Sequence, residues 1–150
     1  MLKMGRMIEG VLLHPLKRIH NPKGDIFHAL KCTDCGFQGF GEVYFSQIHF
    51  DEVKGWKRHN RMSLNLVVIT GKIKFVIYDD REDSATRGEF CEIVLSPEEN
   101  YQRLTVAPGL WMAFCGVGEQ TSILMDLIPK PHDDSEVTRK MLSDINYQFR

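Results

Sequence analysis

Three residues in this chain are well suited to moving a proton: His59, Lys57 and His49. A neutral imidazole has an unperturbed pKa of about 6.5, so it can accept a proton at physiological pH. A fixed ammonium within reach stabilises the oxyanion that develops when a C–H bond beside a carbonyl breaks. The same cation lowers the pKa of a neighbouring histidine and keeps it neutral. In EVYFSQIHF, period-two alternation puts Val43, Phe45, Gln47 and His49 on one face and Tyr44, Ser46, Ile48 and Phe50 on the other. In KGWKRHN, an extended chain brings Lys57 and His59 together and turns Trp56 and Arg58 away. Gln47, His49, Lys57 and His59 then form one expected constellation.

A second reading stands beside the first, because a Lys-Arg-His run ahead of a strand is also what a solvated face looks like. His14, His20, His28 and His132 lie in polar or Pro-rich stretches and read as surface residues. A metal site built on paired histidines needs a ligand two residues before His59. That position is Lys57, which ligates poorly at neutral pH, so no metal is expected there.

The elements that must position these side chains read as strands. GEVYFSQIHF, SLNLVVITG, KIKFVIYDD, FCEIVLS, QRLTVAP, LWMAFCG and TSILMDLIP are short, rich in β-branched and aromatic residues, and bounded by turn formers. TGK at 70–72, SPEENY at 96–101 and APG at 107–109 read as turns. HDDSEVTRKMLSDINY offers Asp/Ser caps, early acids and a late Arg-Lys pair, the pattern of a short helix. The expected fold is all-β: one antiparallel barrel domain over 1–150, with a short C-terminal helix or tail.

With 19 basic and 20 acidic residues in 150, the formal charge is −1. That balance argues against nucleic-acid and membrane-surface roles but leaves room for a local site that binds a small anion. MLKMGRMIEGVLL shows no signal-peptide pattern, so a cytoplasmic location is expected. Cys32 and Cys35 form a C-x-x-C knuckle with no second close pair, and Cys91 and Cys115 sit in apolar strand-like runs. Reduced structural cysteines are expected, with a metal knuckle, a disulfide or a redox pair as alternatives.

Several motifs, in order, resemble the dTDP-4-dehydrorhamnose 3,5-epimerase family and the related sugar-nucleotide 3,4-ketoisomerases. NPKGDIFH resembles the family's nucleotide-contacting D-x-R-G-x-F-x-E. Lys54-Gly55 and the His-bearing segment after it resemble R-G-x-H. VVITGKIKFVIYDDREDSATRGEF resembles the strand, Gly turn, strand, D-x-R, S-P-T-x-G run. LTVAPGLWMAF resembles the P-P-G-x-W stretch of the ketoisomerases. The likeness runs from about Lys17 to Leu127.

The resemblance implies a cupin jelly roll (a double-stranded β-helix), usually a homodimer that swaps N-terminal strands, acting on a nucleotide-linked 4-keto sugar. It implies no metal or dissociable cofactor. On that basis His59 is the expected proton shuttle, His49 its assistant and Lys57 the enolate stabiliser. Lys23, Lys54 and Arg81 are expected to contact sugar or diphosphate, Phe27 or Trp111 to stack, and Gln47 to bind substrate.

The departures from the pattern are specific. The first family histidine falls on Lys57 and the second ketoisomerase histidine on His59. The histidine after the P-x-G turn falls on Met112, and the later-strand tyrosine falls near Met125. The nucleotide loop carries Lys23 in place of Arg and His28 in place of Glu. Two functions remain: an isomerase or epimerase in surface-polysaccharide biosynthesis, or a sugar-nucleotide-binding cupin that has lost catalysis. A metal-dependent cupin using the cysteine pair or scattered histidines is a third reading.

Overall fold

The computed structural model describes residues 7–149. The first six residues of the N-terminal stretch considered above lie outside it. Two five-stranded antiparallel sheets face each other. The first runs β1 (Val11–Pro15), β9 (Gln102–Val106), β6 (Leu64–Thr70), β11 (Ser122–Ile128) and β4 (Glu42–Ile48). The second runs β12 (Val137–Arg139), β5 (Val53–His59), β10 (Trp111–Gly116), β7 (Ile73–Tyr78) and β8 (Phe90–Leu95). A small hairpin, β2 (Arg18–Ile19) with β3 (Ile26–Phe27), stands apart from both. The jelly-roll expectation holds, and the two sheets do not close into a continuous barrel.

Alternation explains the packing. Leu64, Leu66 and Val68 on β6 meet Ile73, Phe75 and Ile77 on β7 between the sheets, with Leu104 and Leu124 beside them. Burying such side chains is worth roughly 1.5–3 kcal/mol each, and this core holds the sheets at working distance. Gly71 makes the β6–β7 turn possible: its φ is +81°, and an added Cβ would lie 2.3 Å from the Ser122 hydroxyl. Gly55 has a different reason. A Cβ there would sit 2.4 Å from that of Ala113, so only glycine lets β5 lie flat on β10 beside the pocket.

The segment expected as a helix or tail is a tail. It forms a 3₁₀ turn at Asp134–Glu136, the short strand β12 and a second turn at Leu142–Asp144. The edge of β5 offers unpaired backbone groups, and the β-branched Val137 and Thr138 pair with His59 and Arg58 there. Beyond β12, Ile145, Tyr147 and Phe149 pack on the outer face of the second sheet against Trp56 and Trp111. Helical capping signals lose to two tertiary demands, an open edge and an exposed tryptophan face.

Candidate active site

A pocket of about 220 Å³ opens between the sheets. Its floor is apolar, with Leu64, Leu66, Leu110, Met112 and Leu124. Its polar groups come from both walls. The second sheet supplies Lys54, Lys57 and His59 from β5 and Arg139 from β12; the first supplies Tyr44 and Ser46 from β4 and Asp126 from β11.

His59 is 5 % exposed, and its Nδ1 lies 2.7 Å from Oε1 of Glu136. The other Glu136 oxygen accepts the backbone N–H of Arg61 at 2.8 Å and of Met62 at 3.0 Å. Burial alone would raise the Glu136 carboxyl. The Arg61 N–H, the His59 ring and the Met62 N–H outweigh that and hold it below the usual range. An ionised carboxylate only accepts, so Nδ1 carries a proton and Nε2 is left as the basic nitrogen. Burial lowers the His59 pKa; the Glu136 bond and charge push back, Lys57 lowers it further, and the net direction is down. The ring is therefore a neutral base at pH 7. Lys57 is also shifted down, by burial first and then by Arg139, with Asp126, Asp134 and Glu136 opposing.

On the facing wall, the Tyr44 hydroxyl donates to Oδ2 of Asp126 at 2.7 Å. Asp126 is 5 % exposed, and its Oδ1 is buried with no hydrogen-bond partner. Burial pushes this carboxyl up to about 6, although Tyr44 and Lys57 pull the other way.

The structure brings Lys54, Lys57 and His59 to the pocket and corrects the other placements. Inward on β4 are Tyr44 and Ser46, so Gln47 and His49 face out. His49 pairs through Nδ1 with Thr121 at 2.9 Å and does not assist His59. Arg81 is taken up by Asp79: its Nε and Nη2 lie 2.9 Å from the two carboxylate oxygens, and Nη2 also donates to the Glu9 carbonyl. Trp111 is 1 % exposed, donates Nε1 to Asp80 at 3.0 Å, and lies between the charges of Arg58 and Lys140, on the far side of the sheet. Lys23 and Phe27 sit at the exposed β2–β3 hairpin, outside this chain's own pocket; Phe27 carries the Arg18 guanidinium over its ring. Lys54 is at the rim, its Nζ donating to the Gln47 carbonyl at 2.6 Å and to Ser46 Oγ at 3.3 Å.

Four pocket or dyad residues escaped the sequence reading: Tyr44, Asp126, Glu136 and Arg139. Asp126 carried the clearest signal, since a lone acid in the apolar strand SILMDLI must have a reason to be there. Among the described residues, no cluster of three His, Cys, Asp or Glu side chains could hold a metal ion. Cys32 and Cys35 are exposed, and Cys91 and Cys115 are buried. No described helix is long and apolar enough to cross a membrane.

Comparison with known proteins bears on the fold. No family model matches the chain. The crystal structure of a dTDP sugar isomerase from Desulfovibrio desulfuricans superposes with a TM-score of 0.90 at 32% identity, covering 94% of this chain and 91% of that one. A 3,4-ketoisomerase from Thermoanaerobacterium thermosaccharolyticum, solved with TDP, shares the fold at a TM-score of 0.73 and 20% identity, over 89% of this chain and 90% of that one. A curated relative from Haloferax volcanii, named "Probable low-salt glycan biosynthesis epimerase Agl13", is 34% identical over 84 residues. That match spans 55% of this chain and only 53%, about half, of the relative. With most of its length aligned to a sugar isomerase above 30% identity in the same jelly roll, the chain belongs to the cupin family of sugar-nucleotide epimerases and isomerases.

Proposed function

We propose that the chain isomerises or epimerises a nucleotide-linked 4-keto sugar, with His59 as the base, in the making of a surface polysaccharide or glycan. The observation that carries this is the His59–Glu136 pair, a neutral imidazole oriented by a buried carboxylate at a pocket that also holds Lys57. His59 takes the proton α to the ketone, and Lys57 faces the oxygen on which enolate charge collects. Lys54 and Arg139 give the pocket further positive charge that suits a diphosphate. A buried, carboxylate-paired histidine at the pocket favours catalysis over the reading in which the chain only binds sugar nucleotide.

The test is incubation of the protein with dTDP- or UDP-4-keto-6-deoxyglucose in deuterated water, followed by NMR. Solvent deuterium at C3 or C5, or a keto shift, is the expected outcome. Absence of all three removes proton-transfer chemistry on these substrates.

The same reading includes a homodimer. β4 lies at the edge of its sheet and turns Val43 and Phe45 outward, with Phe45 61 % exposed. Phe40 and Phe50, also exposed, lie just before and after the strand. An apolar strip on an open edge is suited to pairing with a second copy of the chain. Phe45→Asp is expected to convert a dimer to a monomer in light-scattering measurements. A wild type that is already monomeric at micromolar concentration would remove the dimer.

A further inference from the structure

Lys54 donates to the Gln47 carbonyl and Ser46 Oγ, Lys72 to Glu99 and Lys74 to the Phe149 carbonyl. Lys57 is different. It is half-buried at the pocket, yet its Nζ makes no hydrogen bond or ion pair with any described residue. Its neighbours in the sheet explain why. In the register of β12, β5 and β10, Lys57 lies between Arg139 and Met112, and all three line the pocket. Side chains directly opposite in such pairs stand about 5 Å apart at Cβ, and like charges there repel. One flank is thus a second cation, the other a thioether. We propose that Lys57 is a covalent catalyst: its amine forms a Schiff base with the keto carbon of the sugar, while His59 moves the proton on the carbon beside it. This rests on the keto-sugar reading of the site and deepens it, turning Lys57 from a charge beside the oxygen into the group that replaces that oxygen.

Two observations favour a nucleophile over a fixed cation. First, a lysine kept for its charge is held by acceptors, as Lys54 is, because an ammonium has three donors to satisfy. Lys57 is flanked instead by Arg139 and Met112, over a floor that includes Leu64, Leu66 and Leu110. A free amine needs no counter-charge and is at home there. Second, burial and then the Arg139 charge hold its pKa below the usual lysine range, against Asp126 across the pocket and Asp134 and Glu136 on the tail. Desolvation beside another cation is the combination that activates a lysine amine toward carbonyl carbon. His59 lies two residues along the same strand and lines the same pocket, which sets nucleophile and base side by side.

The sequence of steps balances with water as the only co-reactant. The Lys57 Nζ lone pair attacks the keto carbon, and a proton passes from nitrogen to oxygen to give the neutral carbinolamine. With one proton from solvent the C–O bond breaks, water leaves and the C=N bond forms as a protonated imine. His59 Nε2 takes the proton from the adjacent carbon. The C–H electron pair becomes the C=C bond of an enamine, and the C=N pair returns to nitrogen as a lone pair. Protonation of that carbon restores the imine. Water then adds to it, and the ketone, the free amine and the borrowed proton are released. Nothing is oxidised or reduced.

The experiment traps the imine. Wild-type protein is incubated with dTDP-4-keto-6-deoxyglucose and sodium cyanoborohydride at neutral pH, then measured by intact mass and peptide mapping. One sugar nucleotide joined through a secondary amine to Lys57 is the expected result. Deuterium wash-in at C3 and C5, without the reductant, is followed in parallel. Lys57→Arg keeps the positive charge but has no amine to form an imine, so it is expected to give no adduct and to lose the wash-in. Exchange near the wild-type rate in folded Lys57→Arg overturns the proposal, since charge alone would then suffice. A wild type that exchanges deuterium but gives no adduct, or gives adducts only on exposed lysines, overturns it without recourse to any variant. Both of these results leave the keto-sugar reading intact. A wild type with no adduct, no exchange and no keto shift removes both.

Discussion

His59→Asn is expected to reduce solvent exchange and turnover of a 4-keto sugar nucleotide by about 10³-fold, with nucleotide binding retained. The asparagine fills most of the same space and can still donate to Glu136, so the loss reports the missing base and not a collapsed pocket. Binding of dTDP measured calorimetrically checks the second half, and deuterium wash-in the first. Glu136→Gln is the companion: the fold of the tail is kept, the anionic acceptor that fixes the Nδ1–H tautomer is lost, and turnover falls by about 10²-fold. The pH profile carries the sign. A histidine base works only when neutral, and burial holds the His59 pKa below the ordinary 6.5. The acid limb of kcat/KM is therefore expected below pH 6.5. In Glu136→Gln it moves lower still, because the carboxylate was the main influence pushing the ring upward. An acid limb above 6.5 in the wild type contradicts the assignment of His59 as base.

The second large effect is on stability. Asp79 is fully buried and accepts from Arg81 Nε at 2.9 Å, from Ser84 Oγ at 2.5 Å and from Thr86 Oγ1 at 2.6 Å. Thr86 and Arg81 in turn hold the backbone of Glu9, so this cluster ties the approach to β1 to the loop after β7. Asp79→Ala leaves those donors facing a void and is expected to cost about 3 kcal/mol, by analogy with other broken buried pairs. For a chain of this size that lowers Tm by roughly 6–12 °C. Burial opposes the charge, yet the bonds from Arg81, Ser84 and Thr86 win and hold the carboxyl far below its usual range. A depressed carboxylate pKa contributes stability that is complete above the unfolded value of about 3.9 and is lost as pH falls toward the folded one. Urea unfolding should therefore show a constant gap between wild type and Asp79→Ala from pH 5 to 8, narrowing below pH 4. A gap that grows on acidification contradicts this account.

Asp79 and Arg81 also show what the sequence could and could not convey. D-x-R was legible as a motif, but an arginine two residues from an aspartate is as ready to pair locally as to meet a diphosphate, and the loop uses it up. The strands were legible because alternation and turn formers coincide at nearly every boundary. Lys57 and His59 followed directly, since β5 is extended and period two fixes their common side. The same rule sorted β4 into the right two sets without saying which set faces in. Both sets mix apolar and polar residues, and the side with Val43 and Phe45 looks no less core-like than the side with Tyr44 and Ile48. Glu136 was invisible for a different reason: local pattern made it a helix-cap acid, and only the pairing of β12 with β5 makes it the partner of a histidine 77 residues away. Trp111 was misplaced by the same kind of distance, its outer face being covered by the tail that reaches Phe149.

That 77-residue span has a consequence for how the protein comes into being. Loops that long close late, because their entropy must be met before any contact rewards it. During synthesis the two sheets have their strands β1 to β11 before Glu136 emerges, so the jelly roll can condense around an imidazole that still lacks its anion. Docking of residues 134–149, which brings Glu136 to His59 and covers Trp56 and Trp111, is therefore expected to follow formation of the two sheets.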